Sequence, residues 1–328
     1  MEDVRTGHGA SVRDLHGHEH VAAAILLPVP PFDFARSARI AAAGDPRVRR
    51  YEGGRFWQAL QLGPHLALAM LHMDGGPDDP HLYVELRSVG RLTVADLGRA
   101  REQLTRLFRL DLDLAPFEAT ALGDPVMASL VHRLHGLHPT GAPTVFEDLV
   151  LALVDHRLWT PAAPGTVASR LVQDYGERIE LCDGAHLAFP SAGALALAGE
   201  EDLRAAGLTR ARVRAIRGLA RAVAEGLVDL EACADVDGCS AALHAAGFGQ
   251  WADELAAVRD VRRLDVAPAG DPVLGRAVSH YYFGGRPVGE AQVRGVAARW
   301  GGWAGLAAHY LVVAWRDRLE AAGERAGH

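Results

Sequence analysis

Two short stretches of the chain combine residue types and spacings that could do chemistry. In Leu-His-Ala-Ala-Gly-Phe-Gly-Gln-Trp, residues 243–251, a helix-like run breaks at Gly247-Phe248-Gly249 and a second amphipathic run starts at Gln250-Trp251. Two glycines so placed let the backbone take positive φ and approach a partner with no Cβ in the way. The unpaired N–H groups of the second run then point out of the hairpin, and amides at the positive end of a helix dipole suit an anion such as phosphate. A tight link between helices that touches only its own protein would need the same tripeptide. The second stretch is Asp271-Pro272, which has the form of a helix N-cap with proline in the first turn. A third feature is basic: Leu208–Val223 carries Arg210, Arg212, Arg214, Arg217 and Arg221 with no acid among them. It reads as either a polyanion-binding face or a solvated one. The histidines of residues 16–20, His-Gly-His-Glu-His, offer at most loose metal binding. No metal or cofactor site is expected.

The elements that would position these groups fall into two blocks. Residues 1–20 read as a disordered tail. Residues 21–119 alternate apolar and polar positions around Gly63-Pro64 and the turn-rich segment 74–80, with helices at 31–44 and after Thr93. This predicts a small α+β domain, an antiparallel sheet backed by helices. From about residue 120 to 328 the strand signals stop and an all-α domain is expected, its helices opened by caps such as Asp124-Pro125 and closed by glycines such as Gly176. With 328 residues and 49 % hydrophobic content the chain has material for a sizeable core. The stretch Val21–Pro30 is too short and too proline-broken to span a bilayer. No secretory signal is visible, and three cysteines (Cys182, Cys233, Cys239) do not make a disulfide framework. A cytoplasmic protein is expected. The net charge of −7 argues against coating nucleic acid through bulk charge but allows a local basic patch. All 34 basic residues are arginine, so no lysine amine exists to form a Schiff base.

In the order and spacing of these motifs the chain resembles the helix-hairpin-helix base-excision DNA glycosylases, of the 3-methyladenine DNA glycosylase II type. The resemblance runs from about Phe117 to Tyr310. It is carried by Phe146 and its helix, the hairpin with Gly247, Phe248, Gly249 and Trp251, the segment Asp265-Val266-Ala267-Pro268, the acid Asp271, and Arg299, Trp300 and Trp303. The N-terminal sheet domain is similar in pattern to the TBP-like domain of that subfamily.

That resemblance implies a monofunctional glycosylase that flips an alkylated (N3- or N7-methyl) purine out of double-stranded DNA and cuts its N-glycosidic bond with the help of Asp271. The hairpin residues Gly247, Phe248, Gly249 and Gln250 would grip the backbone. Trp251, Leu255, His156 and Trp159 would line the base pocket, and Leu137 or Pro139 would fill the vacated space. The physics agrees: a flipped base needs its flanking backbone held without regard to sequence, and a carboxylate can stabilise the oxocarbenium character that develops at the sugar. Lyase chemistry through lysine is excluded by composition, and so is an iron–sulfur cluster after the hairpin, since the last cysteine is Cys239. A monomer associated with the nucleoid and with no membrane contact is the expectation. Other features depart from the family pattern: Ala246 replaces the hairpin proline, Ala252 a threonine, and Leu255 and Val312 stand at aromatic positions. These imply an altered substrate range, or alternatively a non-catalytic protein that recognises damaged DNA. Trp251 and His156 read equally as core residues.

Overall fold

The computed structural model describes residues 12–15, 19–43, 45–154, 166–232, 236–245, 263–321 and 323. Its first third is an antiparallel sheet of six strands in the order β1-β2-β6-β5-β4-β3, formed by β1 (Val12–Leu15), β2 (Glu19–Leu26), β3 (Arg49–Glu52), β4 (Arg55–Leu62), β5 (His65–Asp74) and β6 (His81–Ser88). The alternation seen in the sequence sets the faces: Phe56, Leu60 and Leu62 of β4 are buried with Leu71, Leu82, Val84 and Leu86 beneath two helices. These are α1 (Phe34–Ala41) and α2 (Val94–Phe108). The β3–β4 link is the pair Gly53-Gly54, both at positive φ (55° and 77°). A two-residue hairpin of matching twist demands that conformation, which side chains disfavour. Thr93 and Asp96 form the reciprocal capping box that starts α2. Val12–Leu15, assigned by sequence to the disordered tail, instead pairs residue for residue with Glu19–Ala22. The pairing satisfies backbone groups that the outer edge of β2 would otherwise expose.

The rest is helical, with one exception that sequence periodicity missed. Strands β7 (Arg178–Leu181) and β8 (Gly184–Leu187) form a hairpin, and Ile179 and Leu181 cover Ala59 and Leu68 on the second face of the sheet. At four residues each, the strands are too short for a two-residue period to show. The helices build two cores. One unites α5 (Val145–Val154), α6 (Val167–Tyr175), α7 (Ala192–Leu197), α8 (Glu200–Ala205) and α9 (Arg210–Ala224), followed in the chain by α10 (Val236–Ala245). The other brings α3 (Ala115–Ala121) and α4 (Pro125–Arg133) against α11 (Pro272–Phe283), α12 (Glu290–Ala297) and α13 (Ala304–Ala321). Segments far apart in the chain therefore share one interior, sealed by Phe117, Trp300 and Tyr310. The Tyr310 hydroxyl donates to the Leu137 carbonyl at 3.0 Å.

Polar contacts tie the sheet unit to both helical cores. Arg49 pairs with the buried Glu147 of α5, and Arg36 with Asp317 of α13 at 2.7 Å. Asp45, buried at the turn before β3, accepts from Arg47 and, at 2.6 Å, from the Ser169 hydroxyl of α6. The Arg47 bond, helped by Ser169 against the cost of burial, holds the Asp45 carboxyl at about 2. An ordinary aspartate titrates at about 3.9. Because the folded value is depressed, this contribution is complete above the unfolded value and is lost as pH falls through 3.8 toward 2. Asp45→Asn is therefore expected to lower the urea midpoint at about pH 7. The gap to wild type should narrow between about pH 5 and pH 3, and a gap independent of pH would contradict this reading.

Candidate functional site

The approach to Asp271 is built from the outside in. Arg263 holds Asp265 through two bonds, Nε to Oδ1 at 2.9 Å and Nη2 to Oδ2 at 2.6 Å. This contact draws the Asp265 carboxyl below the usual aspartate range. Between them, the Leu264 carbonyl accepts from the backbone N–H groups of Gly305 (2.8 Å) and Leu306 (3.0 Å). Those amides lie in the first turn of α13, where no intrahelical acceptor exists for them. The loop then turns through Pro268, whose carbonyl accepts from the Asp271 N–H at 2.9 Å. In this way the start of α13 fixes the segment that delivers the acid.

Asp271 itself is half-buried and caps α11, with Pro272 in the first turn. Its Oδ1 accepts from the N–H groups of both Val273 and Leu274 at 2.8 Å. Its Oδ2 makes no hydrogen bond among the described residues. One oxygen is thus committed to the helix and the other is not. The cap role therefore occupies one oxygen and leaves the other available for a second role.

Asp271 opens onto a cleft of about 590 Å³ that runs along α11 to the start of α12. Arg276, His280 and Ser279 line one side, Glu290 and Val293 another, and Trp315 of α13 is the aromatic wall. The Trp315 and His280 rings lie 5.1 Å apart, tilted by 44°. Burial, with Arg318 nearby, lowers the His280 pKa and favours the neutral ring. Next to Trp315 on α13, Arg316 is pulled below the usual guanidinium range by burial, an effect that the carboxylates of Asp271 and Glu320 oppose. The candidate acid is therefore electrostatically coupled to a cation on the helix that also positions its loop. Chemically, the arrangement offers a fixed carboxylate oxygen for developing positive charge and an indole face for a flat, electron-poor ring.

Among the expected site residues, the structure places Asp271 in this cleft. His156, Trp159, Gly247, Phe248, Gly249, Gln250, Trp251 and Leu255 lie outside the described residues. The expectation of a wedge at Leu137 or Pro139 fails: both are buried, and Leu137 is sealed completely within the core shared by α4 and α13. A side chain enclosed in this way has no access to a groove. Trp300 is likewise a core residue at 2 % exposure. Arg299 reaches Asp124 at 3.2 Å and lies over the Tyr282 ring at 5.3 Å. Neither residue lines the Asp271 cleft: Trp300 is packed in the core, and Arg299 is exposed and held on Asp124. Sequence reading passed over Trp315, Arg316 and Gly305. A signal for Trp315 was present, since it stands one turn beyond Val312, an aromatic position in the resembled family. Val312 itself is buried, while Trp315, three residues on, lines the cleft.

Comparison with known proteins bears on the family and the fold. The family described as HhH-GPD superfamily base excision DNA repair protein matches residues 162–305, a span that includes Asp271 and Gly305. DNA-3-methyladenine glycosylase 2 of Escherichia coli (strain K12) is 30 % identical over 276 residues, covering 84 % of this chain and 91 % of that protein. DNA-3-methyladenine glycosylase of Bacillus subtilis (strain 168) is 24 % identical over 212 residues, 64 % of this chain and 69 % of its own length. The solved 3-methyladenine DNA-glycosylase from Archaeoglobus fulgidus superposes with a TM-score of 0.68 at 21 % identity, over 90 % of this chain and 99 % of that one.

Proposed function

The chain belongs to the HhH-GPD superfamily of base excision DNA repair proteins, and from that premise we propose that it is a monofunctional DNA glycosylase that excises alkylated purines with Asp271 as its catalytic carboxylate. The observation that carries the proposal is the divided carboxylate, with Oδ1 bound to two helix amides and Oδ2 without a hydrogen bond among the described residues at an open cleft. As the N-glycosidic bond stretches, positive charge builds on the sugar, and an oriented carboxylate at that point lowers the barrier and directs a water to the anomeric carbon. A purine methylated at N3 or N7 is already cationic and departs without a strong general acid. Its π-deficient ring is the kind that stacks well on an indole such as Trp315, and a neutral His280 beside it adds no repulsion. The absence of lysine leaves no ε-amine for a Schiff base with the abasic sugar.

The experiment is base release from N-methylated duplex DNA, with free bases separated by chromatography and strand integrity followed on a denaturing gel. Methylated purines are expected in the supernatant and strand breaks only after alkali treatment. Release without any methylated purine among the products would overturn the substrate assignment. Tight binding with no abasic product on alkylated, deaminated or oxidised duplexes would leave a damage-recognising protein without enzymatic activity.

A further inference from the structure

The Asp271 cleft leaves the exposed face of α9 without a role. Arg210, Arg214, Arg217 and Arg221 follow one another at intervals of four, three and four residues, which places them on one side of a helix. Arg210, Arg214 and Arg221 are exposed and Arg217 is half-buried, while Val213, Ile216 and Leu219 on the other side enter the core. The helix contains no acidic residue. None of the four arginines makes an ion pair among the described residues, although the chain carries 41 acids. Arg36, Arg87, Arg263 and Arg299 each hold a carboxylate. The Nε of Arg217 is covered by protein and finds no acceptor among the described residues, so only the outer end of that guanidinium is open to a ligand. Arg212, off the stripe, donates at 3.2 Å to the Val154 carbonyl at the end of α5 and fixes the helix in place.

We propose that this arginine face is a second DNA contact, separate from the Asp271 cleft, that binds the phosphate backbone of duplex DNA. The proposal rests on the reading above only in taking DNA as the partner. Guanidinium groups engage phosphate oxygens through paired N–H bonds, and do so without sequence preference. The stretch from Arg210 to Arg221 spans about 16 Å of helix, the axial length of about five phosphates along one strand. On a chain of net charge −7, such a local stripe gives the overall repulsion a favourable point of approach.

The test is the salt dependence of binding to undamaged duplex DNA, read by fluorescence anisotropy on the full chain. Each lost phosphate contact lowers the slope of log K against log salt by about 0.9. The variant R210Q/R214Q/R217Q/R221Q is therefore expected to lose about two units of slope or more. The pairs R210Q/R214Q and R217Q/R221Q should each lose about half of that loss, which keeps the test open should the fourfold variant fold poorly. The fourfold lysine variant keeps the charge and should keep the slope. Gln variants that melt like wild type and retain its slope would overturn the proposal, as would a wild-type protein that ignores duplex DNA at low salt. Base release from methylated duplex is read in parallel with wild type. Its absence, with the slope loss intact, would remove the glycosylase reading and leave the stripe standing.

Discussion

Replacing Asp271 with asparagine is expected to reduce base release about 10²- to 10³-fold while the protein melts close to wild type. The first figure is the range found when a preorganised electrostatic group is removed from a charge-developing transition state. The expected melting behaviour follows from the division of labour within the side chain. Asn is as good an N-cap as Asp, so an amide oxygen can take over the two bonds to Val273 and Leu274 that Oδ1 makes now. What asparagine cannot supply is the negative charge at the second position. Alanine removes both functions, and Asp271→Ala should lose the same activity plus about 1 kcal/mol of stability from the vacant cap. Thermal melting together with single-turnover base release separates the two effects. Equal release by wild type and Asp271→Asn would show that the residue serves the helix alone. Loss of activity only in the alanine variant would mean that the cap, and not the charge, matters for the reaction.

This residue also shows how much of the site was legible in the sequence. Asp-Pro announced a helix start, just as Asp124-Pro125 did for α4 and Thr93 for α2, and all three caps form with the expected backbone amides. Such signals are local, needing only a few consecutive residues to act. Gly176 also ends its helix as expected, but for another reason. Its φ is −68°, and a Cβ would lie 2.3 Å from the Val172 carbonyl oxygen and 2.6 Å from that of Ala188. The helix stops there because another segment crosses closely, a fact about tertiary contact that a left-handed cap signal does not carry. Trp315 and Arg316 were missed for the same reason. Within α13 they read as the end of an apolar run, and only the packing of α11 against α13 brings them to Asp271. The wedge residues Leu137 and Pro139 went wrong in the opposite sense. The resemblance put the wedge at these positions, yet residues 112–137 share their core with helices more than a hundred positions later.

Gly305 is where that long-range packing should matter most for function, and Gly305→Ala is expected to lower both stability and activity. A Cβ at this position would stand 2.0 Å from the Arg263 carbonyl oxygen and 2.8 Å from that of Val266. Both contacts are with backbone, so no side-chain rotation relieves them. The Leu264 carbonyl, which lies between them in the chain, is bound by the amides of Gly305 and Leu306, and this denies the loop an easy sideways move. The loop must therefore back away from α13, at an overpacking cost of about 1–3 kcal/mol. Asp271 comes five residues after Val266, and its amide is tied to the Pro268 carbonyl, so a displaced loop carries the carboxylate with it. A misplacement of about 1 Å can cost on the order of 10²-fold in rate. Gly295→Ala on α12 is the control: its Cβ would meet nothing within 4 Å, and removing backbone freedom there should be neutral or stabilising by about 0.4–1 kcal/mol. Melting curves and single-turnover base release on both variants decide the matter. A Gly305→Ala protein as active as wild type would show that the loop can retreat without moving the acid, and would end the claim that α13 sets the position of Asp271.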